Sequence, residues 1–137
     1  MSELQNEVQQ QQLQIITELT VKELIDLQKT MGNKILVIKF SAQWCKPCKN
    51  IKPVWDYWIK NNNQKNIIYA EIDIDESIDL YLSFKKYKMV NGVPTIFRFD
   101  GNVNREHWFI PDDSIRGGDI EQLKLFLNGC VLAAQRV

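Results

Sequence analysis

Two cysteines separated by two residues stand where a branched apolar run meets a helical pattern, in ILVIKFSAQWCKPCKNIKPVWD, residues 35 to 56. An unbroken apolar run of this kind suits a central strand covered on both faces, as in a parallel sheet. Behind it Ile51, Val54, Trp55, Trp58 and Ile59 recur at helical spacing, with Pro53 inside the pattern and expected to kink it. A strand running straight into a helix is the unit from which α/β folds are assembled, because parallel strands need a crossover between them.

The rest of the chain repeats that alternation. LQIIT reads as a short strand, and TVKELIDLQKTMG as a helix with Thr20 as N-cap, Glu23 completing a capping box and Gly32 as its stop. NIIYAEIDI is a further strand, and DESIDLYLSFKKYKM a helix begun by an acidic cap. TIFRFD and NVNREHWFI, separated by Asp100-Gly101, predict a hairpin. DIEQLKLFLNG closes the domain with a helix stopped by Gly129. The order β-α-β-α-β-α-β-β-α predicts a three-layer α/β/α sandwich on a mixed sheet, parallel in its N-terminal part with an antiparallel C-terminal hairpin. One domain is expected over residues 13–130, after a polar Gln-rich extension (1–12) and before a tail (131–137).

At 137 residues, 45% of them hydrophobic, the chain is the size of one domain with an ordinary core. Lys plus Arg equals Asp plus Glu at 17 each, and no basic-aromatic stripe occurs, so nucleic acid is not an expected partner. Apolar runs fall far short of the roughly 18 residues of a membrane span, so no membrane partner is expected either. The N-terminus lacks the basic start and apolar core of a secretory signal, which places the protein in the cytoplasm as an expectation. In that reducing space a Cys-x-x-Cys pair is catalytic or metal-binding rather than a structural staple.

Cys45 stands where the helix begins, so unpaired N–H groups and the helix dipole favour its thiolate, and Lys46 adds a positive charge. Cys48, one turn on, reaches Cys45 and faces inward. Cys45 is therefore the expected exposed attacker and Cys48 the resolving thiol, with Pro47 stiffening the turn. A zinc site would need about four ligands, and beyond the pair only Cys130 and His107 offer themselves, so no metal is expected. A Cys-His hydrolase would rest on His107, better read as a strand-surface residue. DIDIDES lacks the glycine and the final acidic ligand of a calcium loop.

FSAQWCKPCKNIKP followed by NGVPT resembles the thioredoxin family, whose pattern is an apolar strand, Trp-Cys-x-Pro-Cys-Lys, a helix proline and a later apolar residue-Pro-Thr. Here these are Trp44 to Lys49, Pro53 and Val93-Pro94-Thr95, and the order of elements agrees from Leu13 to Gly129. The resemblance implies a thiol–disulfide oxidoreductase that reduces protein disulfides, with Cys45–Cys48 as its redox centre and no separate cofactor. It also implies a cis bond between Val93 and Pro94, clients docking along Val93, and Trp44, Lys46 and Pro47 lining the client site. Partners are then disulfide-containing clients and an external disulfide reductase. A monomer is expected, with a dimer through Cys130 as a further option. The alternative is a binding or scaffold module that keeps the fold with weak or redirected redox activity.

Three positions depart from the pattern. Lys39 occupies the strand position where the family usually carries a buried Asp, and Glu71 stands on the neighbouring strand where a Lys is common. The two charges are exchanged, which predicts a Lys39–Glu71 pair behind Cys48 with Glu71 taking over the proton relay. Lys46 replaces the commoner Gly of the active turn. HWFIPDDSIRGGD is longer than the family's link between last strand and last helix.

Overall fold

A computed structural model describes residues 14–63 and 66–135. The Gln-rich extension of residues 1–12 lies outside the described residues, as do the last two positions of the expected tail. The chain forms β1 (Ile15–Ile16), α1 (Val21–Thr30), β2 (Ile35–Ser41), α2 (Lys46–Asn61), β3 (Ile67–Asp73), α3 (Asp79–Lys86), β4 (Thr95–Asp100), β5 (Asp113–Arg116) and α4 (Ile120–Ala134). The strands make one sheet in the order β1-β3-β2-β4-β5. β1, β3 and β2 run parallel, and β4 and β5 are each antiparallel to their neighbour, which is the mixed three-layer sandwich expected from the alternation.

The period of two along β2 divides the core. Ile35 and Val37 face α2 and α4, where they pack with Ile51, Trp55, Trp58, Leu123 and Phe126. Leu36, Ile38 and Phe40 face α1 and α3, with Leu24, Leu80 and Phe84. Phe40, fully buried, meets Tyr81, Phe84 and Phe97 edge-on at 5.7 to 5.9 Å. Removing such a ring costs about 3–5 kcal/mol.

Local signals set most of the helix ends. The Thr20–Glu23 capping box is formed in both directions, at 3.0 and 3.1 Å. α2 runs unbroken through Pro53 from Lys46 to Asn61. Two boundaries differ from expectation. α3 has no acidic side-chain cap: its N-cap is Ile78, while Asp73 instead closes the turn after β3 by accepting from the Asp75 N–H. α4 continues through Gly129 to Ala134, because Cys130, Ala133 and Ala134 are buried against the sheet and their burial outweighs the roughly 1 kcal/mol cost of a helical glycine.

The hairpin after Asp100 is the main correction. Gly101 is packed against the loop after α1, its N–H donating to Lys34 O at 2.9 Å. The chain then makes a long connection, and the strand that pairs with β4 is Asp113–Arg116 rather than the run from Asn102 to Ile110. The aromatic residues of that run are spent on a helix instead of a ladder. Trp108 packs on Phe84 at 5.2 Å, Phe109 stacks on Tyr87 at 3.8 Å, and Gln28 donates to the Trp108 carbonyl. Arg105 ties the connection down through Asp112, Ile110 O and Asp100 O. Among the described residues no helix is long and apolar enough to cross a membrane.

Candidate active site

β2 ends at Ser41 and α2 begins at Lys46, so the turn between them carries the cysteines to the C-terminal end of the central parallel strand. Cys45 is the N-cap of α2, with extended backbone at φ −85° and ψ 112°. Its sulfur accepts from the Cys48 N–H at 3.2 Å, so it holds one of the donors a helix start leaves unpaired. Pro47 occupies the first turn, where its missing N–H costs nothing. Cys45 and Cys48 are joined by a disulfide, with Cα atoms 5.2 Å apart.

The peptide bond between Val93 and Pro94 is cis, and it lies against the pair. Cys45 Sγ is 3.6 Å from the Val93 carbonyl oxygen, and Val93 packs on both cysteines and Ala42. Residues that sequence reasoning passed over fix this corner. Gly92, at φ +117°, donates its N–H to the Tyr81 hydroxyl at 2.8 Å, and the Thr95 hydroxyl donates to Gly92 O. Gly117 donates to the Pro94 carbonyl at 3.1 Å, and a Cβ on Gly118 would stand 3.0 Å from Pro47 Cβ. The two glycines of the Arg-Gly-Gly-Asp run are the available signal, and they bring the end of the long HWFIPDDSIRGGD link against Pro94 and Pro47.

The expected contrast in exposure between the cysteines is absent: Cys45 is 3% and Cys48 5% exposed. Their surroundings differ instead. Cys45 is flanked in the chain by exposed residues, Trp44 at 67% exposure on one side and Lys46 and Pro47 on the other. Cys48 lines a cavity of about 590 Å³ on the other side of the turn.

That cavity is where the two exchanged charges meet. Lys39 and Glu71 are direct register partners on β2 and β3, and both point to the α2 side of the sheet. Lys39 Nζ lies 4.0 Å from Glu71 Oε1 and 5.1 Å from the centre of the Trp55 ring. Glu71 Oε1 also accepts from Trp55 Nε1 at 2.6 Å. Trp55, which the sequence shows only as part of a helical pattern, anchors the carboxylate. Burial lowers the Lys39 pKa, while Glu71 and then Asp56 act against that shift. Lys39 sits on the central strand and is only 6% exposed, so its ammonium does not reach a sheet edge.

Cys130 lies within α4, fully buried, and burial pushes its thiol up to about 12. It offers no surface thiol for the dimer that had been an option. His107 is exposed and stacks near Phe109, away from the pair. No cluster of metal-ligating residues occurs among the described residues.

A mixed sheet that carries a disulfide-bonded Cys-x-x-Cys at a helix start, beside a cis-proline, defines a dithiol–disulfide α/β protein. The family model described as Thioredoxin matches residues 5–110. The chain belongs to the thioredoxin family. It is 40% identical over 60 residues to mouse (Mus musculus) thioredoxin domain-containing protein 8, covering 44% of this chain and 46% of that protein. It is 33% identical over 52 residues to the thioredoxin of Ictalurus punctatus, covering 38% of this chain and 49% of that protein. In these matches the chain spans about half the length of the relative. The fold superposes on Plasmodium falciparum thioredoxin with a TM-score of 0.60 at 20% identity, over 85% of this chain and 98% of that one. Family and geometry together support thiol–disulfide oxidoreductase chemistry in general.

Proposed function

We propose that the protein reduces disulfides in client proteins by dithiol–disulfide exchange at Cys45 and Cys48. The observation that carries this reading is the disulfide at the start of α2, with Cys45 as the cap that accepts the Cys48 N–H. Reduced, Cys45 keeps that donor and the positive helix end, which favour its thiolate. Its thiolate attacks a client disulfide, forming a mixed disulfide and releasing one client thiolate. Cys48 then attacks Cys45 Sγ, the second client thiolate leaves, and the oxidised pair results. Two electrons pass to the client, and an external dithiol reductant restores the protein, so no separate cofactor enters.

In this reading the client lies along Val93 and Pro94, under Trp44 and against Lys46 and Pro47. A reducing compartment such as the cytoplasm suits the cycle. Reduction of insulin by the protein with a thiol reductant tests the activity: turnover above the reductant alone, abolished by Cys45→Ser, is the expected result. Absence of turnover favours the second reading, a binding module of the same fold, for which the near-complete burial of Cys45 is the supporting observation.

A further inference from the structure

The cavity behind the cysteine turn joins the redox pair to a buried cation. Among the described residues its charged lining comprises Lys39 on β2, Lys49 and Lys52 on α2, Glu71 and Asp73 on β3, and Glu76 on the following turn. These are equal in number by sign but not in effect. Lys49 and Glu76 are exposed, and Lys52 is held by Asp56 at 2.7 Å. Asp73 accepts from the Asp75 N–H. The Glu71 side chain is 30% exposed and its Oε1 is taken by Trp55. Lys39, with its side chain 7% exposed, is the charge least screened by water.

Geometry puts that charge in the same cavity as Cys48. Lys39 leaves β2 on the same face as Val37, toward α2, whose buried Cys48 and Trp55 face the sheet and whose exposed Lys52 lines the cavity rim. Its ammonium makes no hydrogen bond within 3.5 Å among the described residues, and Glu71 lies at the 4.0 Å limit of an ion pair. Its donors are therefore open to an anion formed on the cavity wall. The one sulfur on that wall is Cys48.

We infer that Lys39 stabilises the thiolate of Cys48 and thereby sets the pH at which the mixed disulfide is resolved. This rests on the exchange reaction proposed above and names the group that governs its second step. The Cys48 proton goes to water through the cavity, the thiolate forms beside the ammonium, and the Cys48 sulfur then attacks Cys45 Sγ. The bond from Cys45 to the client breaks, and the departing client thiolate takes a proton from water. Lys39 stays protonated throughout. It is a positioning residue acting through Cys48.

The test uses the full chain with Cys45→Ser and Cys130→Ala, leaving Cys48 as the sole thiol, titrated by the ultraviolet absorbance of its thiolate. The midpoint is expected below the ordinary thiol value of about 8.5, with Lys39→Arg keeping it low and Lys39→Met raising it. Each unit of rise removes about tenfold of the thiolate at a pH below both midpoints. In the protein with both active cysteines, release of an aromatic thiol bound to Cys45 should slow in Lys39→Met, by less than that factor because a thiolate of higher pKa is the better nucleophile. Glu71→Gln, which removes the opposing charge, should lower the midpoint further, and it serves alone if Lys39→Met does not fold. An unmoved or lowered midpoint in Lys39→Met, or a raised or unmoved one in Glu71→Gln, overturns the inference. A protein in which Cys48 never displaces the Cys45-bound thiol at any pH overturns the exchange reading instead.

Discussion

Lys39 and Glu71 face each other in direct register across two parallel strands, yet they are buried to different depths, 7% against 30% side-chain exposure. Because of that difference the two halves of the pair are not equivalent. Glu71→Gln leaves an ammonium buried without its counter-charge, which for a fully buried pair costs about 3–5 kcal/mol. Water at Glu71 already screens part of that attraction, so a loss near the low end is expected. Lys39→Met replaces a buried charge by an apolar chain of similar volume and leaves behind a carboxylate that reaches water and keeps its Trp55 bond. Its expected effect at neutral pH is within about 1 kcal/mol. Urea melts of both variants check the asymmetry; a larger loss in Lys39→Met than in Glu71→Gln contradicts it.

The same burial has a pH signature. A lysine whose folded pKa lies below its unfolded one binds fewer protons in the folded state between those values. Stability from Lys39 is then gained as pH rises toward the ordinary lysine value of about 10.4 and lost as pH falls. Tyr69 and Cys130, whose pKa values burial raises, act in the opposite sense over the alkaline range. Their contributions cancel in the difference between the wild type and Lys39→Met. That difference should move in favour of the wild type as pH rises from 8 to about 10.4; a flat difference means that Lys39 is not desolvated.

Exchange chemistry makes the two cysteines separable. Cys48→Ser should trap disulfide-bearing clients on Cys45 as mixed disulfides, and Cys45→Ser should trap none and lose insulin reduction. Non-reducing electrophoresis of either variant mixed with an oxidised client reads this out. Trapping on Cys48 reverses the assigned roles.

Cys130 should behave as an inert core residue. Its thiol, fully buried and raised to about 12, should resist an aromatic disulfide at neutral pH in the native protein and react on unfolding. Cys130→Ala should cost about 1 kcal/mol and leave insulin reduction unchanged. A disulfide-linked dimer that disappears in this variant would contradict the burial.

The strand–cysteine–helix unit was legible because each of its signals is local. A branched apolar run, a helical period, a proline in the first turn and the Thr20–Glu23 box all act within a few residues. What misled were residues whose partners are distant. The run from Asn102 to Ile110 reads as a strand, but Phe84 on α3 and Tyr87 just past its end claim the rings of Trp108 and Phe109, leaving the short polar segment Asp113–Arg116 as the edge strand. Gly129 reads as a helix stop until Cys130 and Ala133 are seen to be buried beyond it. At the site, the Lys39–Glu71 pairing followed from the resemblance to the thioredoxin pattern, which places the two positions on neighbouring strands, whereas Trp55 and Gly118 act through contacts made by tertiary packing.

Two glycines should separate stability from activity. A Cβ on Gly101 would run into the carbonyls of Gly32 and Lys34, backbone that cannot rotate away, at the far end of the sheet from the cysteines. A Cβ on Gly118 would press on Pro47, at 3.0 Å from its Cβ and 3.2 Å from its Cα, between the two cysteines. Asn50 also donates to Gly118 O at 3.1 Å, so a displaced Gly118 pulls on the first turns of α2. Gly101→Ala should therefore lose about 1–3 kcal/mol of stability, the usual cost of overpacking, with insulin reduction retained below its melting range. Gly118→Ala should lose several-fold in reduction rate, because small shifts of a reacting group are costly, while its urea midpoint changes less than that of Gly101→Ala. Rate and midpoint measured on both variants decide this. If Gly118→Ala reduces insulin at the wild-type rate, the close contact between Gly118 and Pro47 does not hold the active turn.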